Sequence, residues 1–92
     1  MILEFEWNAQ KAAENLKNHR ISFEEAKSIF NDPLLLTFPD PEHSDEEHRS
    51  INIGISSHSR LLLVVFTERR GKVRIISSRK STAKEKKLYE SY

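Results

Sequence analysis

One apolar segment constrains the fold of this 92-residue chain more than any other part of the sequence. Residues 61–66 are all apolar and show no alternation, which is typical of a strand buried on both faces. The turn sequence at 69–72 then leads into a second apolar segment at 73–77, and together they predict a tight β-hairpin. A strand covered on both faces needs other elements above and below it, so the chain must build a layered core around this hairpin.

Length and composition favour one domain. With 92 residues, of which 37% are hydrophobic and 32% charged, the chain is long enough for one core and too short for two. We therefore predict a single domain over residues 1–92. No apolar run approaches the roughly 18–20 residues of a membrane span, and Glu4 and Glu6 stand where a signal peptide carries basic residues. These features predict a cytoplasmic protein with no membrane partner, and the absence of cysteine excludes disulfides and thiolate chemistry.

The first third of the chain predicts a short strand followed by two helices. Apolar residues alternate with acidic ones at 3–7, as in a strand with one buried face. Asn8 is placed to cap a helix that ends near residue 19 or 20, and the capping-box pattern at 22–25 begins a second helix that runs to about Asn31. The predicted apolar stripe of the first helix consists of Ala12, Ala13 and Leu16.

The rest of the chain predicts a meander and a terminal helix. Strands are expected at 34–38 and at 51–55, before the hairpin, and a second capping-box pattern at 82–85 begins the last helix. The order β-α-α-β-β-β-β-α, with an antiparallel sheet packed against two N-terminal helices and a C-terminal helix, is α+β. We expect both early helices on one face of the sheet and polar side chains of the meander on the other, partly open face.

Charge is divided unevenly along the chain. Residues 1–68 hold 6 Lys and Arg against 12 Asp and Glu, whereas residues 69–92 hold 9 against 2. This asymmetry indicates an anionic partner, such as a phosphate backbone or an acidic protein surface. A basic hairpin that neutralises the acidic part of the same fold would give the same pattern. The nine cations, called the basic block below, are Arg69, Arg70, Lys72, Arg74, Arg79, Lys80, Lys84, Lys86 and Lys87.

The motif content excludes several classes of enzyme. The two glycines form neither a phosphate-binding loop nor a nucleophile elbow. The acidic segment at 40–48 has side chains of metal-ligand type without metal-binding spacing, so we interpret it as a solvated loop and expect no metal or other cofactor. The remaining polar residues suit metal-independent cleavage of RNA, in which the 2′-OH attacks the phosphate and the protein supplies a base, an acid and cations.

The candidate residues for this chemistry lie around the predicted hairpin. Glu68 and His58 are the acid and base candidates, although Glu68 could equally pair with a nearby arginine and His58 could be an ordinary turn residue. Arg69 and Arg79 are the predicted catalytic cations, and Arg79 stands just before a helix N-terminus, where anions are favoured. The predicted RNA-binding residues are Arg74, Lys80, Lys84 and Lys72.

Four other polar or aromatic residues have simpler interpretations. His19 lies at the end of the first helix, where an imidazole interacts favourably with the helix C-terminus, so we assign it a structural role. Tyr89 and Tyr92 have rings that could stack on bases, whereas Trp7 lies on the apolar face of the first strand and is interpreted as a core residue.

An ordered set of short segments along nearly the whole chain resembles a known family. The residues that carry the resemblance are Phe5, Glu6, Trp7, Asn8, Lys11, Asn15, Lys17, His19, residues 21–26, Phe30, Asp32, Pro33, Arg49, Gly54, residues 62–69, residues 74–80, Glu85 and Tyr89. This set is similar to the BrnT family, the ribonuclease half of the BrnT/BrnA type II toxin-antitoxin systems. The chain departs from the family pattern at Arg20, where glycine is expected, and at Ser78 and Ser81, where alanines are usual.

The resemblance implies a RelE-like α+β fold and a metal-independent endoribonuclease that arrests translation and growth. It also implies neutralisation by a BrnA-type antitoxin, which is a ribbon-helix-helix DNA binder. The toxin would then contact operator DNA only through this antitoxin. By position it matches Glu68, Arg69, Arg74, Arg79 and Lys80 to the family's acidic and basic residues. The alternatives are a non-catalytic module of the same fold that binds RNA or an acidic protein, and a protein-interaction adaptor that involves no RNA.

Overall fold

The computed structural model describes residues 3–41 and 48–92, and within these ranges it contains five strands and three α-helices. Their order is β-α-α-β-β-β-β-α, so the predicted order and the α+β class are confirmed. The elements are β1 Phe5–Glu6, α1 Ala9–His19, α2 Phe23–Ser28 with a 3-10 turn at Ile29–Asn31, β2 Leu36–Pro39, β3 Arg49–Ile55, β4 Leu61–Arg69, β5 Lys72–Lys80 and α3 Ala83–Glu90.

The strands form one sheet in the order β1-β5-β4-β3-β2. β1 runs parallel to β5, and the other neighbours are antiparallel. β4 is the central strand, as its apolar sequence predicts. The hairpin between β4 and β5 turns at Arg70 and Gly71, whose φ angles are +53° and +78°. Two successive residues with positive φ match the twist of the flanking strands, so the predicted tight hairpin is confirmed.

Each α-helix begins at the capping residue that the sequence predicts. The side chain of Asn8 accepts a hydrogen bond from a backbone N–H of α1, and that of Ser22 does the same for α2. At α3 the full capping box forms between Thr82 and Glu85. The capping box expected at α2 is only half made, because the carboxylate of Glu25 lies in a different network, described below.

Helices α1 and α2 cover one face of the sheet. Gly54 permits close packing there, since a Cβ at this position would lie 2.9 Å from a methyl carbon of Leu35 and 3.3 Å from the Cβ of Ile29. Trp7 packs against this core with its ring centroid 5.9 Å from that of Phe23, in agreement with its interpretation as a core residue. The fully buried core consists of Ile21, Phe23, Ala26, Ile29, Leu62, Val64 and Ile75.

The second face of the sheet differs from the prediction that it carries polar side chains. Pairing places Ile51 and Ile53 beside Val65 and Leu63, on the face directed away from α1 and α2. The polar side of β3 faces the helices instead, and there Asn52 is buried. The second face is therefore apolar along β3 and β4, while Ser77 and Arg79 of β5 add polar side chains to it. Alternation along a strand shows which residues share a face, but it does not show which face the helices cover.

The packing of α1 depends on a polar residue that the predicted apolar stripe omitted. Leu16 is 50% exposed, whereas Asn15 is 7% exposed. The Asn15 amide donates to the carbonyl oxygens of Ile21 and Ser78, both at 2.9 Å, and its oxygen accepts from the Ser78 N–H at 3.0 Å. Among the described residues β1 pairs with β5 at Val73 and Arg74, and Asn15 satisfies the edge of β5 at Ser78 as a neighbouring strand would.

We expect Asn15→Ala to lower the free energy of unfolding by about 3 kcal/mol, because the variant leaves the buried Ser78 N–H without its acceptor. Urea unfolding followed by circular dichroism measures the change. The control is Asn18→Ala, an exposed asparagine on the same helix, for which a change within about 0.5 kcal/mol is expected. Equal effects of the two variants would contradict the role assigned to Asn15.

The side chain of Ser78 gives a second stability prediction, which concerns its buried hydroxyl. The Ser78 hydroxyl is buried and has no hydrogen-bond partner in the part of the chain that the structure describes. Since an unpaired buried hydroxyl is destabilising, Ser78→Ala should raise the free energy of unfolding by about 1 kcal/mol. Ser81→Ala, at a half-buried position just beyond β5, is the matched control. A loss of stability in Ser78→Ala would show that the hydroxyl has a partner.

Candidate active site

A cleft of about 450 Å³ lies on the second face of the sheet. Its floor is formed by apolar side chains from four strands: Phe38, Ile51, Leu63, Val65 and Ile76. Polar and charged side chains also line it: His19, Asp40, Arg49, Ser77, Arg79 and Glu85. The cleft therefore combines an apolar floor with a charged rim.

The Arg79 guanidinium is held in the cleft by the carboxylate of Glu85. Nη1 and Nη2 donate to Oε1 and Oε2 at 2.9 and 2.8 Å, and Nη1 also donates to the carbonyl oxygen of Lys80 at 3.2 Å. These hydrogen bonds raise the pKa of Arg79 and lower the pKa of Glu85. Within residues 3–41 and 48–92, Nε–H binds no acceptor, so the Nε edge of the planar guanidinium stays available for an anion.

Glu85 also fixes α3 relative to this arginine. Its Oε1 accepts a hydrogen bond from the Thr82 N–H at 2.8 Å, so one carboxylate closes the capping box and orients Arg79. The far end of α3 is tied down by Tyr89, whose hydroxyl donates to Asp32. Burial and this hydrogen bond raise the pKa of Tyr89 to about 12. Its hydroxyl is thus committed to a structural contact, while Tyr92 is exposed.

Helix α1 brings His19 to the same cleft. Asn15 and His19 are four residues apart, so they lie on the same side of the helix, and the anchoring of Asn15 on Ser78 directs His19 toward this end of β5. His19 is the last residue of α1 and is exposed. Arg20 then ends the helix with a φ of +60°, the left-handed conformation that favours glycine.

His19 and Arg49 are two cleft residues that the sequence analysis does not assign to catalysis. His19 was interpreted as a structural residue at the helix end, and Arg49 begins β3 far from the basic block. The sequence nevertheless contains one indication that both residues are functional. Both belong to the set that carries the family resemblance, as do Arg79 and Glu85, and the structure brings these four residues to one cleft.

The other two residues predicted from the hairpin as catalytic lie elsewhere. Glu68 and Arg69 are exposed at the end of β4, beside Lys72 at the start of β5; these three residues are called the hairpin tip below. Arg79 pairs with Leu63, five residues from Glu68 along β4, which is about 17 Å at roughly 3.4 Å per residue. The structure therefore does not bring the hairpin tip to the cleft, and the catalytic roles of Glu68 and Arg69 stay predictions.

Three of the predicted RNA-binding residues lie on β5 and the fourth lies on α3. Arg74 pairs with Glu6 at 3.1 Å, at the point where β1 joins β5. Lys80 follows Arg79 and Lys84 lies in the first turn of α3, and both are exposed. Lys80 and Lys84 thus extend the positive charge beside the cleft, whereas Lys72 belongs to the hairpin tip and Arg74 lies two residues from it on β5.

His58 lies in a separate network around the buried carboxylate of Glu25. That carboxylate is 2% exposed and accepts hydrogen bonds from Ser56 Oγ at 2.7 Å and from Nε of Arg60 at 2.9 Å, with a second bond from Nη2 of Arg60. His58 Nδ1 lies 3.2 Å from it. The hydrogen bonds from Arg60 lower the pKa of Glu25. The network fastens the turn after β3 to α2. His58 does not line the cleft, and its catalytic role also stays a prediction.

Comparison with known proteins decides the family. The family model for the ribonuclease toxin BrnT of type II toxin-antitoxin systems matches residues 7–85. The chain belongs to the BrnT ribonuclease toxin family. The matched span includes His19, Arg49, Arg79 and Glu85, and membership in a type II system implies an antitoxin partner. The family predicted from the sequence is therefore confirmed.

A solved structure supports the fold of this BrnT-family chain. The crystal structure of the Brucella abortus ribonuclease toxin BrnT is similar, with a TM-score of 0.64 and 18% sequence identity. The match covers 88% of this chain and 99% of that chain. A search of curated proteins gives no match.

The described residues were also compared with what a membrane span and a metal site require. Among the residues described, no helix is long and apolar enough to cross a bilayer, and no group of three or more possible metal ligands occurs. Most of the acidic segment interpreted as a solvated loop, residues 42–47, lies outside the described residues.

Acid should weaken the network around Glu25. Because Glu25 has a lowered pKa in the folded chain, its stabilising effect is complete above the pKa of an unfolded glutamate and is lost as pH falls through the folded value. Glu25→Gln should lower the free energy of unfolding by about 2 to 3 kcal/mol at pH 7, with a smaller difference from the wild type at pH 3.5. Urea unfolding at both pH values measures this difference.

The control for this prediction is Glu24→Gln, the neighbouring residue on α2, whose side chain is 69% exposed. It should change stability by less than about 0.5 kcal/mol at either pH. A difference between wild type and Glu25→Gln that is the same at both pH values would contradict the lowered pKa.

Proposed function

We propose that this chain is a metal-independent endoribonuclease that cleaves RNA by attack of the 2′-OH, arrests translation and growth in the cytoplasm, and is neutralised by a BrnA-type antitoxin. One observation carries the proposal. In the cleft, Glu85 holds Arg79 so that one edge of the guanidinium remains available for a phosphate, with His19 and Arg49 lining the same cleft.

Arg79 and Arg49 supply the positive charge that this reaction needs. Negative charge grows on the phosphate oxygens as the 2′-oxygen attacks, and a planar guanidinium matches two such oxygens at once. Arg79 is already fixed by the two hydrogen bonds that it donates to Glu85, so little reorganisation is needed when the charge develops. Glu85 therefore acts through Arg79 and is a positioning residue.

His19 is assigned the proton transfers. An imidazole takes and gives protons near neutral pH, so it suits removal of the 2′-OH proton or protonation of the leaving 5′-oxygen. Glu85 is a poor base by comparison, because its carboxylate accepts hydrogen bonds from Arg79 and Thr82 and its pKa is lowered. Glu68 and His58 are the alternative acid and base candidates, at sites away from the cleft.

The surface beside the cleft suits both RNA and an acidic inhibitor. Exposed Lys80 and Lys84 extend the positive charge next to Arg79, as required for contacts along a phosphate backbone. A BrnA-type antitoxin would neutralise the enzyme by covering either Arg79 or the approach of RNA along these lysines. In this proposal the toxin reaches operator DNA only through that antitoxin.

Cleavage of a labelled RNA in excess EDTA tests the proposal. We expect the wild type to cleave, and the Arg79→Ala, Lys80→Ala double variant to lose at least about 100-fold in rate while its circular dichroism spectrum stays that of the wild type. The control is Lys11→Ala, which removes an exposed cation of α1 that does not line the cleft. Loss of wild-type cleavage in EDTA would contradict metal independence.

A second pair of variants locates the active site. His19→Ala should reduce the cleavage rate steeply, whereas Arg69→Ala at the hairpin tip should reduce it little. The reverse result would move the active site to the hairpin tip. If the wild type cleaves neither free RNA nor RNA on translating ribosomes, the binding module becomes the better account, with an affinity that falls steadily with salt.

A further inference from the structure

The apolar floor of the cleft has no part in the chemistry assigned to the rim. Cleavage of a phosphodiester by this site needs His19, Arg49 and Arg79, and these lie among the polar lining residues. Yet the floor presents half-buried Phe38 and Ile51, together with Val65 and Ile76. Among residues 3–41 and 48–92 nothing buries these four side chains completely, and apolar surface that stays partly exposed on one face of a sheet is typical of a binding site.

The neighbouring charges restrict what the floor binds. A ligand of this cleft must place an apolar surface on the floor and an anion on the free edge of Arg79. A nucleotide has this form, because its base offers two planar apolar faces close to a phosphate. The volume of about 450 Å³ lies in the range of pockets that hold one small ligand. Phe38 adds an aromatic ring, the kind of side chain on which bases stack.

We propose that the cleft floor is a nucleobase subsite that takes one unpaired base of RNA while Arg79 holds the adjacent phosphate. This inference rests on the proposed function and names its substrate class, which is single-stranded RNA. A base in a duplex is stacked and paired, and it would have to leave the helix to reach the floor. Stacking accepts any base, so the subsite selects for lack of pairing more than for base identity.

Binding of small probes tests the subsite without any cleavage. We expect the wild type to bind adenosine 3′-monophosphate about 10-fold more tightly than ribose 5-phosphate, which has a phosphate and no base. NMR titration measures both affinities, and the methyl signals of the floor residues Ile51 and Val65 should shift only with the nucleotide. Equal affinity for the two probes would overturn the inference.

Two matched variants on β3 separate the floor from the rest of the sheet face. Ile51 lines the cleft, whereas Ile55 belongs to the same strand and the same alternating face but does not line it. Ile51→Thr should weaken binding of adenosine 3′-monophosphate by about 5-fold and leave inorganic phosphate binding unchanged. Ile55→Thr should change neither, and Arg79→Ala should weaken both. Equal effects of Ile51→Thr and Ile55→Thr would overturn the inference.

Cleavage assays then distinguish failure of the subsite from failure of the proposed function. One labelled RNA, used alone and annealed to its complement, should be cut at least about 20-fold faster when unpaired. If both forms are cut equally, the subsite is refuted and the ribonuclease stands. If neither form is cut while the nucleotide still binds as expected, the subsite stands and the proposed catalysis fails.

Discussion

The contact between α1 and the edge of β5 depends on the buried carboxamide of Asn15. Strand β1 is too short to cover the length of β5, and the Asn15 side chain takes over at Ser78 with one donated and one accepted hydrogen bond. Its second donated bond, to the carbonyl oxygen of Ile21, fixes the start of the next helical segment. Without Asn15 the N–H and the carbonyl oxygen of Ser78 would lose these two hydrogen bonds, so this side chain joins α1 to the edge of the sheet.

The same contact sets the geometry of the cleft. His19 follows Asn15 by one helical turn and therefore lies near the residues that follow Ser77 on β5. On the other side, the Glu85 carboxylate joins Arg79 to the capping box of α3. Each half of the rim is thus fixed by a hydrogen-bonding side chain whose first role is structural. The cleft is preformed because these anchors belong to the fold.

The carboxylates of Glu25 and Glu85 both bind an arginine, but the two pairs have different roles in the structure. Glu25 accepts hydrogen bonds from Arg60 and Ser56, and this saturates a network that holds a turn against α2. Glu85 binds Arg79 in a similar way but leaves the Nε edge of that guanidinium available for an anion. The two pairs also differ in position, because the Arg79–Glu85 pair lines the cleft and the Arg60–Glu25 pair does not.

Much of the fold could be predicted, because the signals involved are local. Asn8, Ser22 and Thr82 cap the three helices as their sequence context predicts, since a cap needs only a side chain and the next turn of backbone. Arg70 and Gly71 make the predicted hairpin turn for the same reason. The site was only partly predictable. Arg79 lies just before the cap of α3, as its place in the sequence predicts, but its partners could not be derived from spacing.

The sequence by itself determined the elements, their order, the central position of β4 and the concentration of basic residues near the C-terminus. Only the tertiary structure decided that β3 turns its isoleucines away from the helices, that His19 lies in the cleft with Arg79, and that Glu68 is about 17 Å away along β4. The physical reason is the distance along the chain over which each interaction acts. Caps, turns and alternation act over about four residues, whereas the cleft joins α1, β3, β5 and α3 through packing and hydrogen bonds between distant parts of the chain.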